Sequence, residues 1–568
     1  MLIWKPHGQL DVSTEPTDLP ETSDGKNIVS DAVSQCQNLR VNQHGKITLR
    51  DGSSKYNSSA INTAIWLIVC QAGVRYSFAG TNIYKNESSI ASGLTSAQWS
   101  AIEYNQYNDT DQQIFALNGT DRQRINGSTA SEWGIAAPTT APTIAVGGST
   151  GLTGAYNVKY TYCRKVSSVV VSESNPSDAA TSAVTLADES LSVTWTASSD
   201  SQVTHVRVYR TAAGGSTYYL DQDVAIGTTT VDTTTADASL SSAVAINHDR
   251  PPLGSFVFGP NFDGTCFIAL NNLLYYCLAK QPEYWPSSNY IEVSPPQFPI
   301  KTGVFHNGQP YVLTKNKIYY IQGTGSNTFF PLKMESMTGA QGIFGAVSIE
   351  GHGIYHTGPD GIYLYSGGDR KITENNFEPL FRGETVNGMP GVTDMSTAWL
   401  HQFGNNLYFG YTSSGYSYPT NILVYNLSSK RFTYYIYNDG SNVEVRCIAT
   451  DETNNVLIIG DNTGYVRRIE DTTKTDDSGT AISWAVQSKD FTLQTRAHFP
   501  RWVKYDVDAS NSTTATGEVY LDDTLHQSHT LSENRSIKRR LVKTGNGNKM
   551  KHKISGTGAV TIYAIESE

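Results

Sequence analysis

The feature that most constrains this chain is a unit that recurs along it. Each copy has an apolar strand, a Gly or Asn turn, then a strand carrying Ile-Tyr or a similar aromatic pair. Early copies are Tyr76-Ser-Phe-Ala-Gly-Thr-Asn-Ile-Tyr84 and Gln113-Ile-Phe-Ala-Leu-Asn-Gly119 with Arg124-Ile125. Later ones include Cys266 to Tyr276, Tyr311 to Ile321, Gly353 to Tyr365, Asn406 to Tyr425 and Val456 to Val466. In the second half they recur roughly every 40–55 residues, about four strands per unit, which is the spacing of β-propeller blades. A four-stranded sheet cannot bury both faces alone, whereas stacked sheets bury each other and leave short edges. Two units precede residue 135 and five follow residue 260, so a propeller of about six to eight blades is expected.

Composition agrees with an all-β chain. Tyr (33) outnumbers Phe (18), Gly reaches 48, and charged residues are only 17%. Tyr, Val and Thr favour strands, while Gly and Asn serve turns. The one helical pattern is Asn27 to Asn38, with Ile28, Ala32, Val33 and Cys36 near one face.

The series is interrupted. Ala136 to Ala145 is a Pro/Thr linker, and strands then follow at roughly 10–20-residue spacing. They include Gly154 to Arg164, Leu191 to Trp195 and His205 to Arg210, a pattern that resembles a fibronectin type III β-sandwich. The expected order is a 1–56 N-terminal arm and hairpin, 57–137 first blades, and a 138–250 fibronectin-like insertion. The remaining blades take 251–480 and a C-terminal β-sandwich takes 481–568. Within the arm, Asn38 to Tyr56 reads as strand, His44-Gly45 turn, strand.

Chemistry is sparse. No G-x-S-x-G elbow, HExxH or CxxC occurs. Gly323-Thr-Gly325 lacks the third glycine and following helix of a phosphate loop, so it reads as a turn. The six scattered cysteines read as free buried thiols. The acidic pairs Asp451-Glu452, Asp522-Asp523, Asp109/Asp111 and Asp221/Asp223 sit in turn-like stretches. No catalytic residue, metal ligand or cofactor is expected. The opening MLIWKPHGQL has no signal-peptide pattern, and the longest apolar run, Ala64 to Cys70, is too short to span a membrane.

One charge cluster stands out. Arg535, Lys538, Arg539, Arg540, Lys543, Lys549, Lys551 and Lys553 face only Glu533 between Leu531 and Lys553. That segment is +7 in a chain of net −10, which leaves the remainder at −17. It is a candidate docking face for an acidic partner or for nucleic acid, or else a solvated hairpin whose charges deter edge pairing.

Two passages carry a family resemblance: the hairpin Asn38-Leu-Arg-Val41, Gly45-Lys-Ile47, Arg50-Asp-Gly52, and the turn Tyr275-Tyr-Cys277 to Gln281-Pro-Glu-Tyr-Trp285. In this order, with propeller strands and an insertion, the chain resembles the tail hub or nozzle (packaged-DNA stabilisation) proteins of short-tailed bacteriophages. The resemblance implies a non-enzymatic virion protein, assembled in the host cytoplasm as a homohexameric ring. Its partners would be the portal-adaptor and tail fibre proteins. Duplex DNA would be retained by the ring and then pass through without sequence-specific binding. An acidic wall repels phosphates and lets duplex slide. Other classes remain open: a carbohydrate-binding or glycoside-hydrolysing propeller with an accessory module, or a receptor-binding tail protein. A glycosidase would need two carboxylates facing one cleft.

Overall fold

The computed structural model describes every residue except 24–27, 42–45, 107–109, 326–327, 493–499, 510–511, 533–536 and 542–546, together with the side chains of 512–513. The chain is all-β: the described strands account for nearly all regular structure, and the one α-helix described is Glu378–Phe381.

Among the described residues, seven antiparallel meanders organise most of the strands. Six are built from four consecutive strands each, over 65–91, 100–132, 256–292, 300–333, 346–371 and 392–435. The seventh has three consecutive strands, Val445–Asp451, Val456–Asp461 and Val466–Asp471, and takes its fourth, Gly52–Lys55, from the other end of the chain. Central strands such as Gln113–Leu117 and Gly361–Tyr365 are buried throughout, while last strands such as Phe330–Lys333 are mostly exposed. This is the burial expected of sheets covered on both faces and wetted at one edge.

The chain divides into two compact units. The first comprises Met1–Ser89, Leu313–Ile318 and Met334–Glu568. In it the first strands of successive meanders lie side by side: Ala346–Ile349 on Val392–Phe403, that on Val445–Asp451, and that on Ile65–Gln71. Trp399, Tyr408, Leu457 and Ile459 fill one intersheet core, and Ile65, Ile68, Ile458 and Val466 another.

The first unit also holds both chain ends. Leu2–Trp4 pairs with Thr561–Ser567, and Val33–Gln37 lies between Phe432–Tyr435 and Ser483–Ser488. The stretches 1–56 and 481–568 therefore share both terminal sheets and one core, which includes Trp4, Leu39, Trp484, Tyr505 and Ile562. The helix expected over Asn27 to Asn38 does not form. Ile28–Ser30 and Val33–Gln37 are strands, and Val33 to Cys36 are buried on both faces. Ladder pairing across the chain outweighs a short amphipathic pattern, because an isolated helix of that length is marginal. Leu39–Val41 and Ile47–Leu49 pair as the expected hairpin, and its His44-Gly45 turn lies outside the described residues.

The second unit comprises Ile90–Val312 and Tyr319–Lys333. Here Ser100–Tyr104 lies beside Phe256–Phe258, and Phe256–Phe258 beside Ile300–His306. Between these meanders the chain leaves to build a separate set of sheets. One has the order Val169–Glu173, Val158–Val166, His205–Thr211, Tyr218–Ala225. Opposite it, Thr143–Val146 and Thr230–Thr233 flank Leu191–Thr194, and Leu152–Tyr156 pairs with Val184–Glu189. Tyr160, Val193, Val206 and Trp195 meet in their common core. Trp195, read as strand-borne, directly follows the strand Leu191–Thr194.

Candidate functional site

The basic cluster is divided by the fold. Lys538, Arg539 and Arg540 lie on Ile537–Arg540, which pairs with Trp502–Asp508. Lys549, Lys551 and Lys553 lie on Lys549–Gly558, in the other terminal sheet, between Ser483–Ser488 and Ser512–Leu521. Arg535 and Lys543 fall outside the described residues. Strand alternation turns Lys549, Lys551 and Lys553 outward and Met550, His552 and Ile554 inward. Acidic and aromatic neighbours come with them. Lys551 pairs with Asp523, Lys549 lies 3.9 Å from Asp490, and Lys538 lies 3.3 Å from Glu568 and 5.2 Å from the Trp502 ring. The Lys551 ammonium holds the Asp523 carboxyl below its usual range. Six of the eight residues thus form two partly neutralised patches on two sheets.

Asp451, Asp522 and Asp111 are hydrogen-bonded near hairpin turns, whereas Asp221 and Asp223 lie on the strand Tyr218–Ala225 rather than in a turn. Asp451 accepts from the Asn454 N–H and side-chain amide across a hairpin turn. Asp522 accepts from the Asn548 and Lys549 N–H groups. Asp223 takes Arg207 at 2.9 Å and also pairs with Lys165, while Asp221 faces Arg210 at 3.8 Å with no solvent exposure. Asp111 accepts from Asn126, and Asp109 lies outside the described residues. All six cysteines are free, five of them buried and Cys70 half-buried. Among the described residues, no group of three His, Cys, Asp or Glu side chains could hold a metal ion.

The two motif passages fold into buried polar clusters. In the first unit, Arg50 lies beneath the seventh meander with all five guanidinium N–H donors engaged. Its Nε donates to Asn38 Oδ1 at 3.0 Å. Nη1 donates to the Asp51 carbonyl at 2.8 Å and to Asp477 Oδ1 at 3.1 Å. Nη2 donates to the Ile436 carbonyl at 2.7 Å and to Asp477 Oδ2 at 2.5 Å. The Tyr437 ring lies 4.0 Å from the guanidinium carbon. Asn38 holds this place with φ +57°, a conformation that Asn tolerates better than most residues. Its amide also donates to the Ser483 carbonyl. Gly52 is required because any side chain there would strike the Asp476 carbonyl oxygen. Arg40 pairs with Asp51 and reaches Glu470 at 3.8 Å. Burial pushes the Glu470 carboxyl up, against the Tyr437 hydroxyl that donates to it at 2.8 Å. Together these groups clamp the N-terminal strand Gly52–Lys55 onto the seventh meander.

In the second unit, the turn Gln281 to Trp285 docks the inserted sheets. The Pro282 carbonyl accepts the indole N–H of both Trp133 (2.8 Å) and Trp285 (2.6 Å). Glu283 accepts from Arg164 Nη2 at 2.5 Å and from the Ser172 hydroxyl at 2.7 Å, both on inserted strands. Tyr284 accepts the Glu173 N–H at 2.8 Å, and His248 stacks on its ring at 3.9 Å. Glu173 in turn accepts from Thr161, Tyr209 and Arg207, each at 2.6 Å. Burial pushes the His248 imidazole below its ordinary value.

A third polar tie carries no sequence signal. His356 Nδ1 faces the Gly339 carbonyl at 3.0 Å and Nε2 faces Asp369 at 3.1 Å, both side chains being fully buried. Burial pushes the Asp369 carboxyl up, but hydrogen bonds from His356 and the Thr338 and Met337 N–H groups hold it below the usual range. The Arg50 and Glu283 clusters hold strands from distant parts of the chain together, whereas the His356 tie is local. No protein-family model and no curated protein matches the chain.

Proposed function

We propose that this chain is a structural tail protein of a short-tailed bacteriophage, the nozzle or hub through which packaged DNA is retained and then released. The observation that carries the reading is the set of seven meanders, the last completed by a strand from the N-terminus. We read these meanders as propeller blades, since completing the last blade with a strand from the N-terminal stretch removes a free edge. We read the inserted sheets as a fibronectin type III-like module. A four-stranded sheet faces a three-stranded and a two-stranded sheet across one core, a two-layer β-sandwich arrangement. We read 481–568 as the C-terminal β-sandwich, onto which strands of the 1–56 arm pair.

Two further features support it. The passages that carry the family resemblance are spent on holding the fold together, which suits a scaffold. The net charge of −10 suits a conduit wall that repels phosphate. The partners on this reading are further copies of the chain in a homohexamer, the portal-adaptor, tail fibres and passing duplex DNA.

The test is the oligomer of the full chain, alone and with its adaptor, by native mass spectrometry and negative-stain imaging. A six-fold ring with a duplex-wide channel is expected. A chain that stays monomeric with adaptor present overturns the reading.

A further inference from the structure

The third meander carries two cysteines that face one another. Phe267 is the register partner of Tyr276 in the hairpin Phe267–Leu270 and Leu273–Tyr276. The next residues outward, Cys266 and Cys277, therefore stand opposite each other. The Cys277 N–H donates to the Cys266 carbonyl at 3.1 Å, and the Cys266 N–H donates to the Cys277 sulfur at 3.1 Å. Both lie in one apolar cluster with Trp133, Ile268 and Trp285, at 0% and 1% exposure. Directly opposite residues of an antiparallel pair have Cα atoms about 4.5–5.5 Å apart. A disulfide bridges Cα separations of about 4.4–6.8 Å, a range that includes the spacing of directly opposite residues.

We propose that Cys266 and Cys277 are a reversible redox pair, a dithiol in a reducing compartment and an intrachain disulfide when the chain folds in the presence of a disulfide-bearing oxidant. One cysteine thiolate attacks a sulfur of the oxidant, whose S–S bond breaks and releases the first thiolate. The second cysteine thiolate then attacks the mixed disulfide and expels the other. Two electrons pass to the oxidant, and the two cysteine protons end on its two thiols. Burial pushes the Cys266 thiol up, so thiolate is scarce once the protein is folded. The bond therefore forms during folding or local opening.

The position of the pair gives it a consequence. Cys277 is followed at once by Leu278, which bridges to Gln281 at the start of the docking turn. The crosslink fixes the base from which Pro282, Glu283 and Tyr284 reach the inserted sheets.

The test uses the full chain made in parallel in reducing and oxidising folding compartments. Each preparation is alkylated with N-ethylmaleimide under denaturing conditions and digested with trypsin. No Lys or Arg separates Cys266 from Cys277, so one peptide carries both. From the oxidising preparation this peptide is expected unalkylated and about 2 Da lighter than the dithiol. Dithiothreitol should restore two alkylation sites, and the reducing preparation should show both from the start. In Cys277→Ser and Cys277→Ala, Cys266 should appear as a single alkylated thiol. Two alkylated thiols from the oxidising preparation overturn the proposal, as does a bond from Cys266 or Cys277 to any other cysteine.

Discussion

The closing cluster around Arg50 and the docking cluster around Glu283 solve the same problem with opposite charges at the centre. Each buries an ion pair to hold together strands far apart in sequence. They differ in completeness. Every N–H of Arg50 has an acceptor, and its partner Asp477 also receives the Ser53 hydroxyl and the Asn438 N–H. In the docking cluster the buried Arg164 Nε and His248 Nδ1 have no hydrogen-bond partner among the described residues. A fully satisfied polar network rigidifies, whereas each buried donor left unpaired costs about 1–3 kcal/mol. The seventh meander is therefore closed by the stiffer of the two devices, and the inserted module is held by the one that opens first.

The largest expected effect is at Arg50. Arg50→Met leaves Asp477 charged, buried and missing its guanidinium, which costs about 3–5 kcal/mol. Chemical denaturation of the full chain should show this as an earlier midpoint for the first unit. The double variant Arg50→Met/Asp477→Leu should recover most of the loss, because a well-packed apolar pair often replaces a buried ion pair without penalty. A loss below about 1 kcal/mol for the single variant would place Arg50 with ordinary surface pairs and break the comparison.

Glu283→Gln comes next. It keeps the shape of the side chain but removes the charge facing Arg164, an effect of about 1.5–3 kcal/mol. Because the cluster is already incomplete, the loss should appear locally. Hydrogen exchange should speed up in Val158–Val166 and Val169–Glu173, while the strands of the seventh meander keep their protection. Equal acceleration in both units would show that the clusters are not independent.

These two clusters also mark how far the sequence could be read. The recurrence of Ile-Tyr strands exposed the meanders, because a period-2 apolar pattern bounded by Gly and Asn is a local signal. Both motif passages could be picked out as unusual, yet what they contact could not. Asp477 lies 427 residues from Arg50, and Glu283 lies 119 from Arg164. Asp477 itself looks like one more turn residue in Asp476-Asp477-Ser478-Gly479. The strand Val33–Gln37 was hidden for the same reason, since its partners are Phe432–Tyr435 and Ser483–Ser488. The basic cluster shows the reverse relation between chain and fold. It is continuous along the chain, but strand pairing places its described parts in different sheets.

Acid should act on the two clusters with opposite sign. Burial raises the Glu470 carboxyl from its ordinary value of 4.5, although Tyr437, Arg40 and Arg50 act to lower it and Asp51 to raise it. The folded chain then keeps a proton that the unfolded chain has lost. The resulting penalty is present above the folded pKa and disappears as pH falls through it. His248 runs the other way. Burial lowers it from 6.5, with Glu173 and Asp249 pulling it up and Arg207 pushing it down. Its contribution is complete above pH 6.5 and is lost as pH falls through the folded pKa. Between pH 6.5 and 4.5, exchange corrected for its intrinsic pH dependence should rise around Tyr284 and fall or hold around Tyr437. His248→Phe keeps an aromatic ring over Tyr284 and should remove the rise; persistence of the rise in that variant would assign it to another group.

The smallest effect is expected at Lys538, and it sets the floor for the others. Its ammonium lies 3.3 Å from Glu568, but the two side chains are 51% and 69% exposed. Water and salt screen such a pair, and holding two long side chains in one geometry consumes most of the Coulomb gain. Lys538→Met should therefore shift stability by less than about 1 kcal/mol, and the small change should vanish at high salt. The methionine keeps an apolar stem beside Trp502, so any larger loss would have to come from charge. A loss as large as that of Glu283→Gln would mean that exposure does not rank the ion pairs of this chain. The contrast between its buried clusters and its basic surface would then have to be rebuilt on local stiffness instead.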